Sequence, residues 1–122
     1  MTRILIIDDH DEFRKTTRRF LEIQNANVQV IEASSAVAGI RLALAEKPEI
    51  VLLDIGLPDM NGLEAAQQIK AGAAKTKIII LTIFEVDRLK RLYDNKDIVD
   101  FISKDEIYAK LLPSIRKFIL DA

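Results

Sequence analysis

Five short apolar runs recur along this chain, and each leads into a segment with helical spacing. The runs are Ile4-Leu5-Ile6-Ile7, Val28 to Ala33, Ile50-Val51-Leu52-Leu53, Ile78-Ile79-Ile80-Leu81 and Val99 to Ser103. Runs this short and this rich in β-branched residues suit strands better than helices. Where polar alternation is missing, as in the first, third and fourth, both faces of the strand must be covered, which is the habit of a parallel sheet. The second run alternates more, through Val28, Val30 and either Ile31 or Ala33, and is expected nearer an edge.

The intervening segments carry the other period. Phe13, Thr16, Thr17, Phe20 and Leu21 fall at i, i+3, i+4, i+7 and i+8 of a helix over 11–24, with Asp11 as its expected N-cap and Arg14, Lys15, Arg18 and Arg19 on its solvated face. Ser34 or Ser35 caps a helix over 36–46 whose apolar side is expected to be Val37, Ile40 and Leu44, and Pro48 ends it. Asn61 with Glu64 reads as a capping pair for a helix through Lys70, with Gly72 near its end. Val86, Leu89 and Tyr93 give a short, weaker helix. Ile107, Leu111, Ile115 and Phe118 give a last one, which either begins shortly before Pro113 or is kinked there. A chain of 122 residues with βα repeated in this way predicts a single domain over 1–122. The class is α/β, a doubly wound five-stranded parallel sheet with five helices on its two faces.

Composition removes several chemistries. The chain has no cysteine, so disulfides, thiolate zinc sites and cysteine nucleophiles are excluded, and a single histidine excludes a histidine cage. Eighteen basic against nineteen acidic side chains give a net charge of −1, so direct nucleic-acid binding through phosphates is not expected. The opening Met1 to Asp9 is apolar only briefly before two acids, so neither a signal peptide nor a membrane span is expected, and the cytoplasm is the expected compartment.

The polar residues that matter close the strands. Asp8 and Asp9 follow the first, Asp54 the third, Thr82 the fourth and Lys104 the fifth. Open α/β sheets bind ligands outside the carboxyl ends of their strands, where the winding direction reverses. If the first and third strands are neighbours, three carboxylates share one crevice. Two such charges about 4 Å apart repel by roughly 4 kcal/mol at an effective dielectric of 20, so the cluster must hold a proton or a cation. Oxygen ligands without His or Cys favour Mg2+ over a transition metal. Mg2+ beside a lone strand-end carboxylate points to phosphoryl transfer, with Asp54 as nucleophile and Thr82 and Lys104 holding phosphoryl oxygens.

At this point the residues resemble a family. Asp8-Asp9, Leu53-Asp54, Pro58 with Gly62, Leu81-Thr82 and Ser103-Lys104, in this order along the whole chain, are similar to the receiver domain of two-component response regulators. The resemblance implies the flavodoxin-like strand order 2-1-3-4-5. It also implies that Asp54 accepts a phosphoryl group from a sensor histidine kinase in a Mg2+-dependent reaction. Asp9, Asp54 and the backbone carbonyl of Gly56 would ligate the ion, with Asp8 acting mainly through a metal-bound water. Lys104 would pair with the phosphoryl group, Thr82 would swing to hydrogen-bond it, and Phe101 would rotate inward as a switch. The implied function is a signalling switch, with no enzymatic chemistry beyond its own phosphorylation and dephosphorylation. It would act through the face around the fourth helix and fifth strand on an output domain in cis or a downstream protein, with dimerisation on phosphorylation. Asp8-Asp9-His10 and Ile55-Gly56-Leu57-Pro58-Asp59-Met60-Asn61-Gly62 look most like regulators with a helix-turn-helix output domain.

Three features depart from the family pattern. Ile83 stands where a small residue is usual, Asp97-Ile98-Val99-Asp100 replaces a glycine-containing lead-in, and Arg88, Lys90 and Arg91 make the output face basic. His10 is expected to be a solvent-facing loop residue. Two other functions compete. Asp9-His10-Asp11 mimics the Asp-x-Asp start of haloacid-dehalogenase phosphatases, but those chains are longer and carry later acids. A degenerate receiver that binds without phosphorylation is disfavoured because Asp8, Asp9, Asp54, Thr82 and Lys104 are all present.

Overall fold

The parallel strands expected from the apolar runs are all present in the computed structural model, which describes residues 1–92 and 97–120. β1 (Thr2–Ile7), β2 (Val28–Ala33), β3 (Ile50–Asp54), β4 (Lys77–Thr82) and β5 (Ile98–Ser103) form one sheet in the order β2-β1-β3-β4-β5. They alternate with α1 (Asp11–Gln24), α2 (Ala36–Glu46), α3 (Gly62–Gly72), α4 (Val86–Leu92) and α5 (Ile107–Ile115). A 3-10 turn over Lys104–Glu106 leads into α5, and a π turn over Arg116–Leu120 follows it. Tyr93, expected in the fourth helix, lies outside the described residues. No helix among those residues is long and apolar enough to cross a membrane.

Strand alternation divides the core into two layers. Leu5, Ile7, Val51, Leu53, Ile78 and Ile80 face α2, α3 and α4. Ile4, Ile6, Ile50, Leu52, Ile79 and Leu81 face α1 and α5. All twelve are completely buried, and each such side chain contributes about 1.5–3 kcal/mol by leaving water. This two-sided burial is why the central runs lack polar alternation.

Several caps are local and readable. Ser35 Oγ accepts from Ala38 N at 3.2 Å, and Asn61 Oδ1 accepts from Leu63 N at 2.8 Å. One cap is long-range: the Asp59 carboxylate, on the loop after β3, accepts from Ala36 N and Val37 N at 3.0 and 3.1 Å. Those two amides hold its pKa below the ordinary value and tie the loop to the start of α2.

The structure corrects three local expectations. α2 buries Ala36, Gly39, Ile40 and Ala43, whereas Val37 and Leu44 are exposed. Small residues win because this helix lies close to β1: a Cβ on Gly39 would stand 2.4 Å from Ile7 Cδ1. Asp11 is not the N-cap of α1. His10 takes that backbone position, without a side-chain cap, and Asp11 pairs instead with Arg14 at 2.8 Å. Nor is Arg14 solvated. It is 7% exposed and donates through Nε to Glu32 Oε1 at 2.8 Å and through Nη1 to the Asp8 carbonyl at 2.7 Å. Arg18 reaches the other oxygen of Glu32 at 2.9 Å, whereas Lys15 and Arg19 are exposed as expected. Pro113 sits in the interior of α5 rather than in its first turn, on an exposed side where water can serve the carbonyl that it leaves without a donor.

Glycine is required at position 62. A Cβ there would lie 2.6 Å from Ile55 Cα and 2.9 Å from the Asp54 carbonyl oxygen, so α3 starts against the chain leaving β3. Gly62→Ala is expected to cost about 3 kcal/mol in urea unfolding, because rigid backbone must move. The Glu32 carboxylate is disfavoured by burial but held below its ordinary pKa of 4.5 by Arg18 and Arg14. Its contribution to stability is complete above that value and is lost as the pH falls through the lowered one. Glu32→Gln should therefore lose about 1–2 kcal/mol at pH 7, and the gap to the natural chain should narrow as the pH is taken below 4.5. A gap that does not change with pH would refute the charge argument.

Candidate functional site

β1 pairs in parallel with β3 as well as with β2, with Ile7 opposite Leu53. The next residue on β1's path is Asp8, and the last residue of β3 is Asp54, so both acids emerge at one end of the sheet. Asp8 is wholly buried and Asp54 is 4% exposed. Lys104, just past β5, reaches across to both. Its Nζ stands 2.8 Å from Asp8 Oδ2 and 3.2 Å from Asp54 Oδ2, and 4.7 Å from the centre of the Phe13 ring. The ammonium lies between the two acids as their shared counter-charge.

The two carboxylates are displaced in opposite directions. Burial pushes Asp8 up, but the Lys104 ammonium and the His10 backbone N–H, at 2.9 Å, outweigh it and hold Asp8 below its ordinary value. Burial also pushes Asp54 up. The Gly56 N–H, at 2.9 Å from Asp54 Oδ1, and Lys104 oppose it, while the Asp8 charge adds to it, and Asp54 stays above its ordinary value. One acid is thus firmly ionised, and its neighbour is a stronger base than an exposed aspartate.

The donors fit a divalent cation. Asp8, Asp9, His10 and Asp54 each present one ligand atom, all within 4.8 Å of one another. Asp9 Oδ1 is buried without a hydrogen bond. Asp8 Oδ2 is buried too, with the Lys104 ammonium 2.8 Å away. Buried carboxylate oxygens left in this state favour a cation.

The other expected residues surround this cluster. Thr82 is buried at the end of β4, where its Oγ1 accepts from Phe84 N at 2.8 Å. Phe101 is 9% exposed and packs into the layer that faces α2, α3 and α4. Gly56 is exposed on the loop after β3. Ile83 is 70% exposed and lines an open groove with His10, Phe13, Lys104, Ile107 and Tyr108. Arg88, Lys90 and Arg91 are exposed on α4, and Lys90 lies 3.9 Å from Asp100. The unusual lead-in to β5 has its own support: Asp100 accepts from Phe101 N at 2.9 Å and from Ser114 Oγ at 2.6 Å. Asp11 does not join the acids. Its exposed carboxylate is turned to Arg14, so the Asp-x-Asp pairing of the phosphatase alternative is not formed.

Two residues play a larger part than the sequence suggested. His10 is exposed as expected, but its Nδ1 lies 2.9 Å from Asp8 Oδ1 and 3.6 Å from Asp54 Oδ2, inside the cluster. Its place directly after Asp8-Asp9 was the available signal. Arg14 holds the Asp8 carbonyl from α1, one helical turn after His10.

Known proteins are similar to this chain in sequence and fold. Residues 4–116 match the family model of the response regulator receiver domain. The chain is 42% identical over 85 residues to the transcriptional regulatory protein LiaR of Bacillus subtilis, covering 69% of this chain and 40% of that protein. It is 30% identical over 116 residues to the response regulator UvrY of Escherichia coli, covering 95% of this chain and 53% of that protein. It therefore spans about half the length, or less, of these relatives. A two-component response regulator of the LuxR family from an Aurantimonas species superposes with a TM-score of 0.88 at 27% identity, over 99% of this chain and 87% of that one. TrrA of Thermotoga maritima, solved in complex with Mg2+-BeF, gives 0.84 at 24% identity over 98% of this chain and 100% of that one, a likeness of fold alone. With its strand order, its acids at the ends of β1 and β3 and its lysine after β5, this chain belongs to the response regulator receiver domain family.

Proposed function

We propose that residues 1–122 form one phosphoacceptor unit in which Asp54 takes a phosphoryl group from the phosphohistidine of a sensor histidine kinase. The observation that carries this is the state of Asp54. It is buried, more basic than usual and within reach of an ammonium, beside a second buried acid that stays ionised. Oδ1 is committed to the Gly56 N–H, so Oδ2, which faces Lys104, is the oxygen that bonds to phosphorus as the bond from phosphorus to the donor nitrogen breaks.

Bound Mg2+ would neutralise the acids and hold phosphoryl oxygen, with Asp9, Asp54 and the Gly56 carbonyl as ligands and Asp8 acting through water. Lys104 pairs with a second phosphoryl oxygen once Asp54 has become an acyl phosphate. Thr82 donates to a third, and Phe101 follows it inward. The remodelled surface is α4 and β5, whose basic α4 side chains meet an output domain in cis, a downstream protein or a second copy. The unit itself makes no nucleic-acid contact and works in the cytoplasm. The regulators LiaR and UvrY support this assignment by kinship, and TrrA, of the same fold, was solved with Mg2+-BeF.

Intact mass after incubation with acetyl phosphate and Mg2+ tests it. One phosphoryl group should be added to the natural chain, and none to Asp54→Asn or to samples with EDTA. A label that survives in Asp54→Asn would place the chemistry elsewhere, Asp9 being the alternative. A second expectation follows from the opposed pKa displacements. In metal-free solution at pH 7, Asp54→Asn removes a charge that folding disfavours, and stability should rise. Lys104→Met leaves two buried carboxylates uncompensated and should cost about 3 kcal/mol. Urea unfolding of the two variants must give changes of opposite sign.

A further inference from the structure

Magnesium follows from the sequence only if the centre offers oxygen alone, and His10 adds a nitrogen. Its Nδ1 lies 2.9, 3.5 and 3.6 Å from single carboxylate oxygens of Asp8, Asp9 and Asp54. Adjacent ligands on an ion with bonds of about 2.1 Å stand roughly 3.0 Å apart in an octahedron and about 3.4 Å apart in a tetrahedron. At 3.5 and 3.6 Å from Asp9 and Asp54, the imidazole nitrogen stands near the tetrahedral spacing from the two acids that would ligate directly. One neighbouring carboxylate oxygen, Asp9 Oδ1, is buried and lacks a hydrogen bond, which leaves it free to take a cation.

We propose that His10 acts as a nitrogen ligand at this centre and turns it toward borderline divalent ions such as Ni2+, Co2+ and Zn2+. The inference rests on Asp8, Asp9 and Asp54 being the metal-binding acids. Mg2+ gains little from an imidazole and prefers to keep its waters, whereas Zn2+ and Ni2+ accept nitrogen readily. Little has to move. The backbone N–H of His10 is anchored on Asp8 Oδ1 at 2.9 Å, and the ring, with 60% of its side chain exposed, can turn without disturbing the core. Nδ1 either donates to Asp8 Oδ1 or accepts from Lys104 Nζ at 3.2 Å. An ion that takes the Nδ1 lone pair replaces both contacts and faces the same oxygens.

The chain has one histidine, so its imidazole resonances identify themselves. The untagged protein should be titrated with Zn2+, Ni2+ and Mg2+ by calorimetry and by NMR, beside His10→Ala and Asp9→Asn. Zn2+ should shift the imidazole signals strongly while Mg2+ leaves them nearly in place. In His10→Ala the ratio of Ni2+ to Mg2+ affinity should fall at least tenfold. An unchanged ratio, or imidazole signals indifferent to Zn2+, would overturn the role of His10 and leave the acids' role standing. If Asp9→Asn binds Mg2+ as well as the natural chain does, the acids themselves are misassigned, and this inference falls with them.

Discussion

The pairing of β1 with both β2 and β3 is the constraint from which the site follows. The chain runs from β1 to an edge strand and returns to lie on β1's other side. The two crossovers must be right-handed, so α1 and α2 fall on opposite faces of the sheet. The ends of β1 and β3 are left between them, and parallel register brings Asp8 and Asp54 to the same level. No other pairing of these strands would gather two acids forty-six residues apart without a long loop.

That placement creates an electrostatic difficulty, and the surrounding residues settle it unequally. Asp8 has the ammonium, a backbone amide and the nearby imidazole, which together overcome its burial. Asp54 has a share of the same ammonium and one amide, and must also face the charge of Asp8. Distances of 2.8 and 3.2 Å from Lys104 follow the same ranking. The metal-free centre thus carries more carboxylate than ammonium charge, and shares that ammonium unevenly.

Much of the fold was legible because burial on two faces writes itself as unbroken β-branched runs. Ser35 and Asn61 were legible as caps for an equally local reason. The buried face of α2 was not, since a period search rewards bulk at Val37 and Leu44 and overlooks a stripe of Ala36, Gly39 and Ala43 chosen for closeness. Arg14 was missed because an arginine on a helix is usually solvated, and only the return of β2 beside α1 supplies Glu32 as its partner. Asp8, Asp9, Asp54 and Lys104 could be placed because strand ends are visible in sequence. The nearness of the His10 ring to the acids was half legible, since its place after Asp9 is visible in the sequence but the direction of the ring is not.

Thr82 carries a consequence beyond its own position. Its hydroxyl oxygen anchors the amide of Phe84, so a turn about the bond from Cα to Cβ moves the oxygen off that anchor. The backbone between them then loses its tether. That short stretch bears Ile83 and Phe84, 70% and 59% exposed, at the rim of the site. A single buried hydroxyl is thus the side-chain anchor of the backbone that carries two exposed greasy side chains, so the inside of the site and the stickiness of its rim are joined by one hydrogen bond.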